Sequence, residues 1–177
     1  MLVTTIPGLT VQQFESFTDE RGTFQRIFDA PSLVSSGHNG QVIQASFSRN
    51  KHAHTLRGLH FMTGHTGETK TVACVRGSIA DVVVDMRRES STYLDHVMLF
   101  LDGDRGQTVT LPPGCAHGYL TMTTCTEILY FMSAPYSSDQ ERGLRFDDAC
   151  LGIDWPAPPA VVSNKDLSWP PLREAQF

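Results

Sequence analysis

The sequence lacks any apolar run long enough to cross a bilayer, any excess of basic residues, and any cluster of cysteines; each shortage removes a class of function. A membrane-spanning helix needs about 20 consecutive apolar residues. The opening residues, Met1 to Gly8, have neither a basic start nor an apolar core of signal-peptide length, so a soluble cytoplasmic protein is expected. Lys and Arg total 14 against 19 Asp and Glu, a formal charge of −5, which argues against nucleic acid or an anionic membrane as partner. The four cysteines, Cys74, Cys115, Cys125 and Cys150, show neither zinc-module pairing nor the density of a disulfide scaffold, so buried free thiols are expected. Helical patterning is scarce as well. Only residues 29–35 suggest a brief helical turn, with Pro31 tolerated near its start.

What remains is a chain of 177 residues, 40% hydrophobic, long enough for one substantial core and short for two, so residues 1–177 are read as a single domain. Apolar and β-branched segments recur at 41–48, 71–76, 78–86, 96–101, 107–111 and 126–132, and short strands at this spacing predict an all-β sandwich or barrel. Turns are supplied by Arg76-Gly77-Ser78 and by Gly103 and Gly106. Val82-Val83-Val84 and the run from Ile128 to Met132 are apolar on both faces, which predicts strands covered on both sides or lying at a homodimer interface. From about residue 150 onward, five prolines exclude a central strand. This segment is read as a tail wrapped over the barrel and anchored by Trp155 and Trp169. There is no internal repeat or low-complexity segment.

Chemistry concentrates in Leu56-Arg57-Gly58-Leu59-His60-Phe61 and in Pro112-Pro113-Gly114-Cys115-Ala116-His117-Gly118-Tyr119. Arg57 and His60 would face opposite sides of a regular strand. Gly58 between them predicts a bulge that re-aims one toward a shared cavity. His60 suits a general base near neutral pH, with a carboxylate to fix its tautomer; a hydrogen-bonded structural histidine is the plainer reading. The plainer reading extends to His38, His52, His54, His65 and His96. His52-Ala53-His54 has a metal-like spacing without a third ligand at a telling distance. Lys70 could hold an enolate oxygen or be a solvated lysine, and Tyr130 could be a catalytic phenol or a core tyrosine. The cations Arg21, Arg57, Lys70 and Lys165 are scattered, so any anion site must be assembled by the fold, which fits a small-molecule phosphate.

Together these segments resemble the dTDP-4-dehydrorhamnose 3,5-epimerase family of cupin-like jelly rolls. Further matches are Asp19-Glu20-Arg21-Gly22-Thr23-Phe24, the run from Gly77 to Arg87, Glu141-Arg142-Gly143, Gly152-Ile153-Asp154-Trp155-Pro156 and Ser163-Asn164-Lys165-Asp166. The resemblance implies a cofactor-free and metal-free isomerase that epimerises a nucleotide-linked 4-keto-6-deoxyhexose at C3 and C5 through an enolate, with a nucleotide-diphosphate sugar as substrate and a homodimer as assembly. By the same resemblance His60 is the base, Asp166 its orienting carboxylate, Tyr130 the acid on the other face, Lys70 the group near the C4 oxygen and Arg57 a diphosphate contact. Arg21, Phe24, Gln44, Ser46, His117, Tyr136, Glu141 and Lys165 fall at further substrate-binding positions. Departures at Arg26, where the family commonly has an acid, at Ser46, where asparagine is frequent, and in Met62-Thr63-Gly64-His65 bear on substrate choice. Alternatives are a single-site 3- or 5-epimerase, a non-catalytic sugar-nucleotide-binding cupin, and a metal-dependent cupin oxygenase.

Overall fold

A computed structural model describes residues 2–63 and 67–175; His65 and the rest of the connection 64–66 lie outside the described residues. The strands are β1 (Leu2–Val3), β2 (Thr10–Gln13), β3 (Ser16–Asp19), β4 (Gly22–Gln25), β5 (Gln44–Asn50), β6 (Leu56–Met62), β7 (Lys70–Arg76), β8 (Ser78–Asp85), β9 (His96–Asp102), β10 (Gln107–Leu111), β11 (Cys115–Thr121), β12 (Thr126–Met132) and β13 (Glu141–Gly143). Two short helices, α1 (Ala30–Ser35) and α2 (Asn164–Leu167), and a 3-10 turn at Leu172–Glu174 complete the set among the described residues. One sheet runs β1-β2-β10-β7-β12-β5 and the other β13-β6-β11-β8-β9, while β3 and β4 form a separate hairpin. The result is an all-β, cupin-like jelly roll.

Side chains alternate along each strand, so every second residue points between the sheets. Val72, Cys74, Ile79, Val83, Val109, Tyr119 and Ile128 meet there. Val82 and Val84 point the other way, into a second apolar cluster with Leu59, Phe61 and Leu151. All three valines are fully buried, each burial stabilising the fold by about 1.5–3 kcal/mol. The doubly apolar character of β8 therefore has its cause within the chain. The outer face of the five-stranded sheet is covered by the tail: Ile153, Trp155 and Leu172 pack on it, and the Trp155 indole N–H donates to the Phe146 carbonyl at 2.9 Å. Tail and β6 are also stitched by backbone, Leu56 N–H donating to Val161 O at 2.9 Å.

α1 begins as expected, with the Asp29 carboxylate capping Ser32 N–H at 3.0 Å. α2 lies in the segment read only as tail. Its start is marked by Ser163, whose hydroxyl accepts from Asp166 N–H at 3.0 Å, a Ser-x-x-Asp pattern that resembles a capping box. The cysteines divide rather than share one fate: Cys74 and Cys115 are buried, Cys125 and Cys150 exposed, and all four are free thiols.

The bulge expected at Gly58 is present. His117 pairs with His60 and Tyr119 with Arg57, so three steps on β6 oppose two on β11. The extra residue turns Arg57 and His60 to the same inward side. Gly58 has φ +116°, and a Cβ there would lie 2.6 Å from Gly118 Cα and 2.7 Å from the His117 carbonyl oxygen. Gly152 is also left-handed, at φ +59°, but opens onto empty space. Gly58→Ala is therefore expected to cost about 2 kcal/mol or more in denaturant unfolding, and clearly more than Gly152→Ala, which isolates backbone strain from the clash.

Candidate active site

The inward faces of the two sheets enclose a cavity of about 550 Å³. Gln44, Ala45 and Ser46 enter it from β5, Tyr130 and Met132 from β12, and Lys70 with Glu68 from the start of β7. His60, Phe61 and Met62 enter from β6 on the opposing sheet, with Tyr136 and Glu141 at the rim. A second hollow of about 350 Å³ shares His60 and is lined by Arg57, Lys165 and Asp166. Most of the residues implicated by the family pattern thus surround one imidazole, although they span more than 100 positions of sequence.

His60 Nε2 lies 2.6 Å from Asp166 Oδ1, with side chains 29% and 4% exposed. The bulge at Gly58 contributes twice, because Gly58 N–H also donates to Asp166 Oδ2 at 3.3 Å. Burial works against the ionised Asp166 carboxyl, but the hydrogen bonds from His60 and Gly58 outweigh it and hold its pKa below the usual value. An ionised carboxylate only accepts, so Nε2 carries the proton and donates. The other ring nitrogen, Nδ1, makes no hydrogen bond among the described residues and keeps its lone pair for a ligand.

Tyr130 lines the same cavity from the other sheet. Burial first, then the neighbouring Tyr119 hydroxyl and the Asp81 carboxylate, push its phenol well above the ordinary value, with Arg57 pulling weakly the other way. Tyr130 therefore holds its proton at neutral pH. The Lys70 ammonium is 3.4 Å from Glu68, an ion pair largely withdrawn from water. At the rim, Glu141 Oε2 accepts from the Tyr136 hydroxyl at 2.7 Å and from Lys165 Nζ at 2.6 Å, and Gln44 Oε1 accepts from Tyr136 N–H at 2.7 Å. Burial opposes ionisation of Glu141, but Lys165 and Tyr136 together hold its pKa below the usual value.

Three expected ligand positions are placed differently. Arg21 and Phe24 sit on the β3–β4 hairpin, which pairs with no other strand among the described residues; Phe24 is 74% exposed and Arg21 pairs with Asp19. Within one chain neither reaches the cavity. His117 is inward but one layer deeper, 6% exposed, bonded to the fully buried Asp81 at 2.6 Å and edge-on to Tyr130 with ring centres 6.4 Å apart. Arg26 lies near the hairpin and pairs with Asp29 at 3.3 Å. Among the described residues no three His, Cys, Asp or Glu side chains converge as a metal site.

Several inward residues were not singled out for this site. Glu68 and Met132 line the cavity, and Asn50 and Asp81 are buried beside it, yet none of the four is among the residues read from the sequence as part of a site. The signal for Asn50 was its parity with Gln44 and Ser46 along β5, which places all three on one face.

The chain matches the family model described as dTDP-4-dehydrorhamnose 3,5-epimerase over residues 3–174. An enzyme of that name from Sinorhizobium fredii is 38% identical over 159 residues, 89% of this chain and 82% of that one. Among solved structures, the Bacillus anthracis dTDP-4-dehydrorhamnose 3,5-epimerase with TDP and PPi bound superposes with a TM-score of 0.91 at 30% identity, covering 97% of this chain and 98% of that one. A 3'-monoepimerase from Streptomyces bikiniensis in complex with dTDP-quinovose gives 0.90 at 30% identity, over 98% and 88%. With the family model spanning nearly the whole chain and the cavity geometry in agreement, the chain belongs to the dTDP-4-dehydrorhamnose 3,5-epimerase family of isomerases.

Proposed function

We propose that the protein epimerises a dTDP-linked 4-keto-6-deoxyhexose, dTDP-4-keto-6-deoxyglucose in the first instance, at C3 and C5. The observation that carries this reading is the pairing of His60, on one sheet, with Asp166 of α2, opposite the proton-loaded Tyr130 on the other sheet. The C4 ketone acidifies the hydrogens on both neighbouring carbons. His60 Nδ1 takes one of them, Asp166 stabilises the resulting imidazolium, and the electron pair moves onto the C4 oxygen. Lys70 offsets that developing charge; a donor so placed is worth about 3–4 kcal/mol in an oxyanion site. Tyr130 returns a proton to the opposite face of the same carbon, inverting it, and solvent resets both groups before the second carbon reacts. Arg57 and Lys165, in the adjoining hollow, bind the diphosphate, and Tyr136, Gln44 and Ser46 bind the nucleoside end.

A homodimer fits the placement of Arg21 and Phe24. The β3–β4 hairpin exposes Phe17 and Phe24, and the edge strand β5 exposes Phe47, following exposed Val42 and Ile43. Two copies pairing along β5 would cover these side chains and let the hairpin of one copy supply Arg21 and Phe24 to the cavity of the other. The chain acts as one domain in this reading. No helix among the described residues is long and apolar enough to cross a membrane, and the free thiols suit a reducing compartment, which supports a cytoplasmic location.

The test is incubation with dTDP-4-keto-6-deoxyglucose in D₂O, with deuterium at C3 and C5 followed by NMR. Deuterium is expected at both carbons, absent with His60→Ala. Incorporation at one carbon alone would instead identify a single-site epimerase, the chemistry named for the Streptomyces bikiniensis relative. No incorporation above the His60→Ala control would reject this substrate. In the same assay Asp166→Asn, which keeps the shape but removes the charge behind the base, is expected to lower kcat by about 10²-fold or more.

A further inference from the structure

We propose that Asn50 is a positioning residue for diphosphate recognition, its buried amide accepting from Arg57 and aiming the free end of that guanidinium into the hollow beside Lys165. The inference rests on the reading of Arg57 as a diphosphate ligand. Asn50 ends β5 and is 3% exposed. Its Oδ1 accepts from Arg57 Nε at 2.9 Å, and its Nδ2 donates to the Thr126 carbonyl at 3.2 Å and to the Tyr119 hydroxyl at 3.3 Å. The orientation of the amide follows from chemistry. The Thr126 carbonyl can only accept and the Arg57 Nε–H can only donate, so nitrogen must face the first and oxygen the second.

An arginine side chain on a strand has several rotatable bonds, and holding it in one geometry costs up to about 2 kcal/mol of rotamer freedom. Here the bond from Nε fixes the plane of the guanidinium before any ligand arrives. Nη1 and Nη2 make no hydrogen bond among the described residues, so the fork that matches two phosphate oxygens remains available. Gly58 brings Arg57 to this side of the sheet, and Asn50 on the facing sheet holds it there. Tyr119 and Thr126 hold Asn50 in turn, so the amide is over-determined where a flexible cation would otherwise sample many positions.

The test uses the full chain and isothermal titration with two probes, dTDP and thymidine, on wild type, Asn50→Ala, Asn50→Ser, Arg57→Ala and the Asn50→Ala/Arg57→Ala double variant. Asn50→Ser removes less buried volume and serves if Asn50→Ala does not fold, with thermal melting as the check and its own Arg57→Ala double. Losing a hydrogen bond to a charged group predicts roughly tenfold weaker dTDP binding in the Asn50 variant, with thymidine unchanged. The double variant should bind dTDP no more weakly than Arg57→Ala alone. A folded Asn50 variant with unchanged dTDP affinity, an equal loss for thymidine, or additive effects in the double variant would each overturn the proposal and leave Asn50 a role in the fold only. If Arg57→Ala itself leaves dTDP affinity intact, the reading of Arg57 fails first and the proposal falls with it.

Discussion

The hydrogen bond from His60 to Asp166 joins residues 106 apart in sequence, and the rest of the site depends on it. It requires two unrelated devices. The Gly58 bulge turns His60 inward and presents a backbone N–H to the carboxylate, while the tail must cross the outer face of the sheet and fold its last helix back at the edge of β6. The cap by Ser163, the packing of Trp155 and the ladder between the tail and β6 therefore serve the imidazole as much as the fold. Trp169 extends this arrangement: it sits edge-on to His60 and against Gly143, where any larger residue would strike the indole.

Division of labour between the two sheets follows from the same constraint. The five-stranded sheet holds the base and the tail behind it supplies the carboxylate from α2; the six-stranded sheet holds Tyr130 and Lys70. A ligand between them meets a proton acceptor on one side and a proton donor on the other: burial keeps the phenol protonated, while the hydrogen bonds from His60 and Gly58 keep Asp166 ionised against its burial. Beneath this layer the Asp81–His117 pair and the Asn50 network hold their neighbours in place, which is why polar groups persist in an otherwise apolar interior.

Much of the architecture was legible because β-branched runs and glycine turns mark strands directly. The six expected segments appear as β5, β7, β8, β9, β10 and β12, with ends shifted by up to three residues. β11 was read as a motif instead, since Gly118 and His117 interrupt its apolar pattern although all seven residues are buried. β1 to β4 are two to four residues long, too short for periodicity to register. At the site, Gly58 announced its bulge through local chemistry. The link between His60 and Asp166 had no local signal and came from the family pattern, because spacing does not reveal which distant segments meet. That Arg21 and Phe24 stand apart from the cavity within one chain is likewise a property of tertiary placement, invisible in the motif that contains them.

The central claim is that Asp166 holds the neutral His60 ring with its proton on Nε2 and its lone pair on Nδ1. Long-range ¹H–¹⁵N spectra of histidine-labelled protein, assigned with His60→Ala, read this directly. At a pH where the ring is neutral, the account predicts a pyrrole-type Nε2 and a pyridine-type Nδ1, a preference weakened in Asp166→Asn. A pyrrole-type Nδ1 in the wild-type protein would place the lone pair against Asp166 and contradict the assignment of His60 as the base.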